Sequence, residues 1–422
     1  MRRFSVVVRR VAPLGLTGLL LCGCGAGSGS GRPTAAQSAA LHIPLATAVA
    51  TPGSLGPTEL SAATGWAIVP MGDLGVPSDT FWQLFVLAGA RPSWILVTPE
   101  GVADNGGLAG SLVAAGGVVG VESTGLLDFS PVATTSSEGA HWTAGILPGP
   151  LTPVPDSMAA APGGRLLALL GAAGSTIVAS DDDASGGARD ISFRSTLAEV
   201  AGRSCELTAL TAVAYGPAEQ PLAGGRCEAP SHIGIFELSG GSWKLVGPPV
   251  PTAGLTEGVT SHQRASAIMR SAAGRSVITQ VLRLSMEGTQ VVALAEAVAA
   301  DGTATLFRLT WSGSRGWTSS PVFDVPPSER LVATGDGANG SSFLLMSRSS
   351  SLTAEVLPAA GKRWSELPTP PAGTATLLLD ADGVTEALAV HGWTLGVYTL
   401  LRTGAWAQVQ AVDVPAQAAT PS

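Results

Sequence analysis

The chain has 422 residues, of which 13% are charged, and its formal net charge is −8. An acidic balance of this kind repels phosphate backbones and argues against nucleic acid as a partner. The 54 glycines and 30 prolines interrupt long helices, so the composition favours many short strands separated by turns.

The N-terminal segment has the layout of an export signal. Its basic head contains Arg2, Arg3, Arg9 and Arg10, an apolar run follows as far as Leu21, and small residues close it. The run is shorter than the ~20 apolar residues that a transmembrane helix requires. No later run reaches that length, so the sequence predicts no membrane-spanning helix.

The end of this segment, Leu21-Cys22-Gly23-Cys24, resembles a bacterial lipobox. Leu21 stands three residues before Cys24, and Gly23 supplies the small side chain that the signal peptidase needs next to the cleavage site. The resemblance implies a signal peptide over residues 1–23, a lipid on Cys24, and a protein exported to the outer face of the cell membrane. A cleaved signal without lipid and a start codon assigned too early are the alternatives.

Residues 24–58 are mostly Gly, Ala, Ser, Thr and Pro. Such a segment buries too little apolar surface to offset the entropy of ordering, so we expect a flexible tether. Residues 59–415 are predicted to form the folded domain, and residues 416–422 a disordered tail. The protein is expected to be a monomer.

Cys205 and Cys227 are the only cysteines outside the signal. Disulfides persist outside the cell, so an exported chain is expected to join this pair. Closing a loop of this length would stabilise the fold by about 3 kcal/mol. Two buried free thiols are the alternative.

A glycine-containing turn followed by an aromatic residue recurs along the folded part. In each unit a strand-like run leads into the turn, and the aromatic residue opens the returning strand, as in a β-hairpin. The units recur about every 40 to 50 residues, which is the length of one four-stranded propeller blade. Their aromatic positions are Trp94, Trp142, Phe193, Trp243, Trp317, Trp364 and Trp406.

This repeat predicts an all-β fold, a β-propeller of about seven four-stranded blades. A pair of β-sandwiches with chance Trp spacing is the alternative. The interval between Trp243 and Trp317 is the longest of those between consecutive aromatic positions. It leaves room for an insertion or for an eighth blade around residues 286–288. We expect residues 64–69 to close the ring by pairing with the last blade.

Thr135, Gly139 and Trp142 resemble the Asp-box, Ser-x-Asp-x-Gly-x-x-Trp, of the sialidase-like propellers with BNR repeats. Ser137 stands where that motif has Asp, and the other hairpins keep mainly the glycine and the aromatic residue. In that family the box is a turn between outer blade strands, away from the active face. The resemblance therefore implies a fold rather than a catalytic site.

Sialidase chemistry itself is not supported by the residues present. The family uses an arginine cluster that holds a carboxylate, a Tyr nucleophile tuned by Glu, and an Asp acid/base. The two tyrosines, Tyr215 and Tyr398, lie in strand-like runs and are read as ordinary strand residues. A two-carboxylate glycosidase stays open, because acids distant in sequence can meet across a propeller.

Residues 181–186 place acids at positions one and three, Ser at position five and Gly at position six, like the opening of a calcium loop. Asp181, Asp183 and Ser185 are the candidate calcium ligands. Ser192 occupies the twelfth position, where such loops carry Glu, so a solvated acidic turn is the alternative. Asp336-Gly337 is predicted to be a turn on the same grounds. No other cofactor is expected.

These features favour an exported, membrane-anchored lipoprotein whose propeller binds a protein or a glycan in the cell envelope without catalysing a reaction. A degenerate sialidase-like glycoside hydrolase is the competing hypothesis. An apolar mouth of the central channel would favour the binding module, whereas a dense polar cluster there would favour the hydrolase.

Overall fold

The described chain is built almost entirely of antiparallel β-meanders. The structure is a computed structural model. The predicted signal (1–23), tether (24–58) and tail (416–422), together with Cys24, Asp181, Asp183 and Ser185, lie outside the residues that it describes. Those residues are 59–61, 64–72, 80–88, 93–99, 112–115, 118–122, 128–135, 137–161, 165–180, 191–201, 205–228, 231–250, 278–287, 289–298, 302, 304–313, 316–320, 323–325, 328–337, 340–349, 351–359, 363–379 and 384–415.

The first three blades each contain four consecutive strands. Blade one has β1 to β4, at Glu59–Ser61, Thr64–Gly72, Thr80–Ala88 and Ser93–Leu96. Blade two has β5 to β8, at Leu112–Ala115, Val118–Glu122, Ser130–Thr135 and Thr143–Leu147. Blade three has β9 to β12, at Met158–Ala160, Leu166–Leu170, Thr176–Ser180 and Ile191–Thr196. A short helix, α1 (Leu197–Ala201), follows it.

The remaining four blades repeat this plan. Blade four has β13 to β16, at Glu206–Tyr215, Pro221–Glu228, Ile235–Ser239 and Ser242–Leu245. Blade five has β17 to β21, at Ile278–Glu287, Gln290–Val298, Ala304–Trp311, Trp317–Ser319 and Phe323–Val325. Blade six has β22 to β25, at Glu329–Asp336, Ser342–Arg348, Ser351–Leu357 and Ser365–Glu366. Blade seven has β26 to β29, at Thr374–Leu379, Thr385–His391, Thr394–Leu400 and Trp406–Asp413.

Blades four and five depart from the plan in two ways. The strands β20 and β21 both pair with β19, at its opposite ends, so together they form the outer strand of blade five. The strand β14 extends beyond its own blade and pairs with β17, and this pairing joins the two blades into one nine-stranded sheet.

Seven apolar clusters arrange the blades as a ring. Alternate residues of a strand point to opposite faces, so each blade packs against both of its neighbours. In β2, for example, Ala67 packs with blade seven and Ile68 with blade two. The clusters join blades one and two, two and three, and so on through six and seven, and the seventh joins blade seven to blade one. This closed succession is a seven-bladed β-propeller, as the sequence predicts.

The aromatic repeat marks the outer hairpin of every blade. Each of the seven predicted aromatic residues lies among the first three residues of the fourth strand of its blade or directly before that strand. Phe193, which replaces Trp in β12, confirms the seventh copy. The alternative of an eighth blade is wrong, because Met286 and Glu287 end β17 and the next strand belongs to the same blade. The length of the Trp243–Trp317 interval comes from residues 251–277, which lie outside the described residues.

The predicted mode of ring closure is wrong. Residues 64–69 belong to β2, which pairs with β1 and β3 of blade one, and blade seven is completed by its own four strands. Closure relies on packing between the two blades and on side-chain hydrogen bonds. Gln410 in β29 accepts a hydrogen bond from Trp94 N (2.9 Å) and donates one to Trp94 O (3.1 Å).

Among the described residues, no helix has both the length and the apolar character needed to cross a membrane.

Candidate functional site

A concavity lies on the innermost strands of blades four, five and six. It is a cavity of about 150 Å³ between β13, β17 and β22, with the segment before β9 on its rim. Most of its wall is apolar, and the polar contribution comes from two Thr, one Gln and one Arg. The lining residues are Val154, Pro155, Thr211, Gln280, Val281, Leu282, Arg283, Leu331, Val332, Ala333 and Thr334.

Three β-bulges shape this cavity. Their extra residues are Thr211 in β13, which is bulged a second time further toward its start, Leu282 in β17 and Val332 in β22. All three of these extra residues line the cavity. A bulge bends its strand and increases the local twist, so three bulges at one level open space between inner strands that would otherwise pack closely.

A buried ion pair lies beside the cavity. Asp156 Oδ1 is 2.7 Å from Arg283 Nε, and Asp156 Oδ2 accepts a hydrogen bond from Leu284 N at 2.6 Å. Arg283 Nη1 donates to Thr334 O at 2.8 Å. Burial raises the pKa of Asp156, and Arg283 opposes that shift. The pair therefore connects the segment before blade three to blades five and six.

Two further carboxylates, those of Glu287 at the end of β17 and Asp336 at the end of β22, lie beside the same arginine, Arg308 of β19. Arg308 Nη2 donates to Glu287 Oε2 at 2.7 Å, and Arg308 Nε lies 3.9 Å from Asp336 Oδ1. Asp336 also accepts hydrogen bonds from Ser342 (2.6 Å) and Ser285 (3.1 Å). Burial raises the pKa of Glu287 to about 7, the neighbouring Asp336 adds to the shift, and Arg308 opposes it.

Neither of these two carboxylates lines the cavity. The side chains of Glu287 and Asp336 are 19% and 14% exposed, and that of Arg308 is 10% exposed. Arg283 lines the cavity, but its charge is balanced by Asp156. Apolar side chains, hydroxyls and an amide therefore dominate the wall that a ligand would meet, and such a wall suits binding better than acid–base chemistry.

The Asp-box-like turn lies between β7 and β8, on the outer side of blade two. Thr135 Oγ1 accepts hydrogen bonds from Ser137 N (3.2 Å) and Gly139 N (3.3 Å), and Ser137 Oγ accepts one from His141 N (3.0 Å). Gly139 has φ +83°, and a Cβ there would lie 2.5 Å from Val97 Cβ of the blade-one end. The turn thus requires glycine both for its backbone conformation and for its close approach to blade one.

Trp142 connects this turn to blade one. Its Nε1 donates to Val97 O at 2.9 Å, and its ring meets the edge of Trp66 with centroids 6.3 Å apart. These contacts are structural, and the turn does not take part in the cavity.

The cysteine pair is a disulfide in the structure, with Cα atoms 5.7 Å apart. It joins the residue before β13 to the end of β14, where Cys227 is fully buried. Tyr215 ends β13 and Tyr398 lies within β28, so both are strand residues. Within the described ranges, no three His, Cys, Asp or Glu side chains are placed to hold a metal ion.

Sequence reasoning missed the whole acid–arginine network. Asp156 and Leu284 are 128 positions apart, and Arg283 and Thr334 are 51 apart. The sequence predicts Asp336 at a turn, and the residue does end β22 directly before Gly337. Its carboxylate, however, belongs to the network. No local pattern signals such partners. The one hint in the sequence is arginine within otherwise apolar strand runs, at Arg283 and Arg308.

No protein-family model and no curated protein matches the chain. Among solved structures, a protein from Lactobacillus plantarum is similar with 11% identity and a TM-score of 0.48, over 80% of this chain and 93% of that one. The periplasmic gluconolactonase of Pseudomonas aeruginosa has 10% identity and a TM-score of 0.47, over 79% and 93%. The propeller domain of the Trilobed protease from Pyrococcus furiosus has 7% identity and a TM-score of 0.47, over 87% and 99%.

Proposed function

We propose that the protein is an exported lipoprotein, anchored on the outer face of the cell membrane, whose propeller binds a glycan or a protein of the envelope without catalysing a reaction. The observation that carries the proposal is the cavity wall, which is apolar with neutral polar groups, while its one arginine is neutralised. The lipobox-like Leu21-Cys22-Gly23-Cys24 supports the location.

The binding function is tested by probing the purified protein on a glycan array and, in parallel, by cross-linking it to envelope extracts. We expect retention of at least one glycan or one envelope protein at a reproducible affinity, with the bound glycan recovered intact. Absence of any retained glycan and any cross-linked partner would reject the binding module.

A second candidate is a glycoside hydrolase, favoured by the Glu287–Asp336 pair. Two neighbouring carboxylates of which one holds its proton near pH 7 are what acid–base hydrolysis of a glycosidic bond requires. Release of a fluorescent aglycone from a panel of fluorogenic glycosides, abolished in Glu287→Gln, would establish this function. Turnover that is absent, or that survives in the variant, would remove it.

The lipid anchor is tested with a matched pair of cysteine variants. Cys24→Ala should move the protein from the membrane fraction to the soluble fraction, because the acceptor for the lipid is gone. Cys22→Ala should leave the distribution unchanged, since Cys22 would be removed with the signal. Fractionation followed by immunoblotting measures both, and membrane retention of Cys24→Ala would contradict lipidation.

A further inference from the structure

Two residues of the cavity wall project from β22 toward blade five. Leu331 is opposite Met346 and Thr334 is opposite Leu344, and both of these partners belong to the apolar cluster between blades five and six. Residues directly opposite each other on neighbouring antiparallel strands share a face. Leu331 and Thr334 share this face three positions apart because Val332 is an extra residue in the ladder.

Two residues of the same wall project from β17 toward blade six. Leu282 packs against that same apolar cluster. Gln280 is opposite Glu296, which lies on the face of β18 that also carries Leu294 of the cluster. Leu282 and Leu331, which both pack against this one cluster, therefore line the cavity from the two sides of a single junction.

The polar groups of the wall differ in what they already bind. The hydroxyl of Thr211 donates to Val281 O at 2.6 Å, and the charge of Arg283 is balanced by Asp156. Among the described residues, the amide of Gln280 has no hydrogen-bond partner. It is a half-buried group that offers both donors and an acceptor. A ligand that bonds to this amide offsets the cost of its desolvation.

The size and the polarity of the cavity limit its occupant. Its volume is about 150 Å³, and an apolar cavity of about that volume holds one benzene molecule. A single hydrocarbon ring therefore fits this space. A sugar ring would lose water from several hydroxyl groups that a mostly apolar wall cannot bond.

We propose that the cavity binds one neutral hydrocarbon ring with a single hydroxyl group, which bonds to the amide of Gln280 while the ring contacts Leu282 and Leu331. Because Arg283 is already paired, a charged substituent on the ring finds no free counter-charge in the wall. This chemistry is that of phenol, as a free molecule or as the side chain of tyrosine. The assignment rests on the proposed binding function, and a tyrosine source makes the partner a protein rather than a glycan.

The test uses the full chain with phenol, benzene and benzoate as probes. Saturation-transfer NMR detects binding, and titration calorimetry gives the dissociation constants. We expect phenol to bind at least about threefold more tightly than benzene, because it adds one hydrogen bond of ordinary strength. Benzoate should bind more weakly than both. Gln280→Met keeps the length of the side chain but removes the amide, so it should weaken the binding of phenol to the level of benzene and leave benzene unchanged.

Two control variants accompany Gln280→Met. Gln290→Met changes an exposed position at the start of β18 in the same blade, and Thr334→Val changes a shorter polar side chain of the cavity wall. Both should bind phenol like the wild type. Thermal melts establish that the three variants are folded before binding is compared. If Gln280→Met does not fold, the ratio of phenol to benzene affinity in the wild type decides the test.

The two sources of the ring are distinguished with N-acetyl-tyrosinamide, compared with N-acetyl-phenylalaninamide. Binding of the tyrosine amide more tightly than phenol supports a protein side chain as the ligand, and weaker binding supports a free small molecule. Equal affinities for phenol and benzene, or an equal loss of phenol binding in Gln280→Met and Thr334→Val, would overturn the assignment. Binding of none of the probes would overturn it as well, and the array and cross-linking experiments then decide separately whether the binding module also fails.

Discussion

Arg283 lies on the face of β17 opposite Val281, because Leu282 is an extra residue in the ladder. In a regular strand, residues two positions apart share a face. Without the bulge, Arg283 would enter the apolar cluster between blades four and five that contains Val281. Because of the extra residue Leu282, the guanidinium of Arg283 contacts Asp156 and the cluster between blades four and five stays apolar.

The same shift puts Ser285 and Glu287 on the face of Arg283, toward Asp336 of blade six. In the folded protein, burial and Asp336 raise the pKa of Glu287 from 4.5 to about 7. The folded state then binds this proton more tightly than the unfolded chain does. Stability is therefore lost as pH rises from about 4.5 to about 7, by up to about 3 kcal/mol.

This pH dependence is measured by urea unfolding between pH 5 and pH 7.5. We expect the wild type to lose stability over that interval and Glu287→Gln to lose much less, because the amide does not titrate. The comparison variant is Glu355→Gln: burial and the nearby Glu366 and Glu329 also raise the pKa of Glu355 to about 7, but its side chain is more exposed, so the effect should be smaller. Equal slopes for the wild type and Glu287→Gln would contradict the assignment.

At the scale of elements, the recurrent Trp ties four of the outer hairpins to the blade before them. Trp142 Nε1 donates to Val97 O (2.9 Å), Trp317 Nε1 to Val246 O, and Trp406 Nε1 to Pro368 O. Each acceptor lies just beyond the fourth strand of the preceding blade. Trp364 uses its ring instead and meets Phe323 of blade five with centroids 5.8 Å apart.

Trp142→Phe should destabilise the protein by about 2 kcal/mol in chemical unfolding. The phenyl ring keeps most of the apolar contact, but it removes the indole donor and leaves Val97 O without that partner. Trp393→Phe is the control, because Trp393 lies on the β27–β28 turn with 45% of its surface exposed, and its stability should change by less than about 0.5 kcal/mol. Equal losses in the two variants would show that the indole bond contributes nothing.

At the scale of the whole molecule, the ring closes by contacts between side chains and backbone, and no strand of the described residues is shared between the first and last blades. Apolar packing joins β2 and β3 to blade seven, and Gln410 makes two hydrogen bonds to the backbone of Trp94. A second contact comes from Gln83, whose Nε2 donates to Pro415 O at 3.1 Å. Side-chain contacts thus join the first and last blades, whereas backbone hydrogen bonds join the strands within each blade.

Gln410→Ala should weaken this closure locally. We expect faster amide hydrogen exchange in β4 and β29 and a loss of about 1–2 kcal/mol, because two backbone groups lose their partner. Gln408→Ala is the matched control on the same strand, where the side chain is exposed. If exchange in β4 is the same in both variants, closure does not depend on Gln410.

The seven hairpins were predictable because each is specified by neighbouring residues. In each hairpin the glycine of the turn and the aromatic residue, such as Trp142 or Trp406, stand a few positions apart. The recurrence of this unit along the chain therefore indicates the number and length of the modules. Residues 64–69 show the limit of prediction from neighbouring residues. Their alternation predicts a strand, but which strand it pairs with depends on the turn after Ser61 and on packing from both sides.

The sequence by itself therefore determined the all-β class, the seven modules and the position of each outer hairpin. Only the tertiary structure decided which inner strands carry bulges, that Asp156 meets Arg283, and that Gln280, Leu282 and Leu331 line one cavity. Hairpins arise from contacts between residues close along the chain, which leave a local pattern. Register, bulges and ion pairs between blades arise from contacts across long loops, and their energies depend on the burial that only the assembled ring creates.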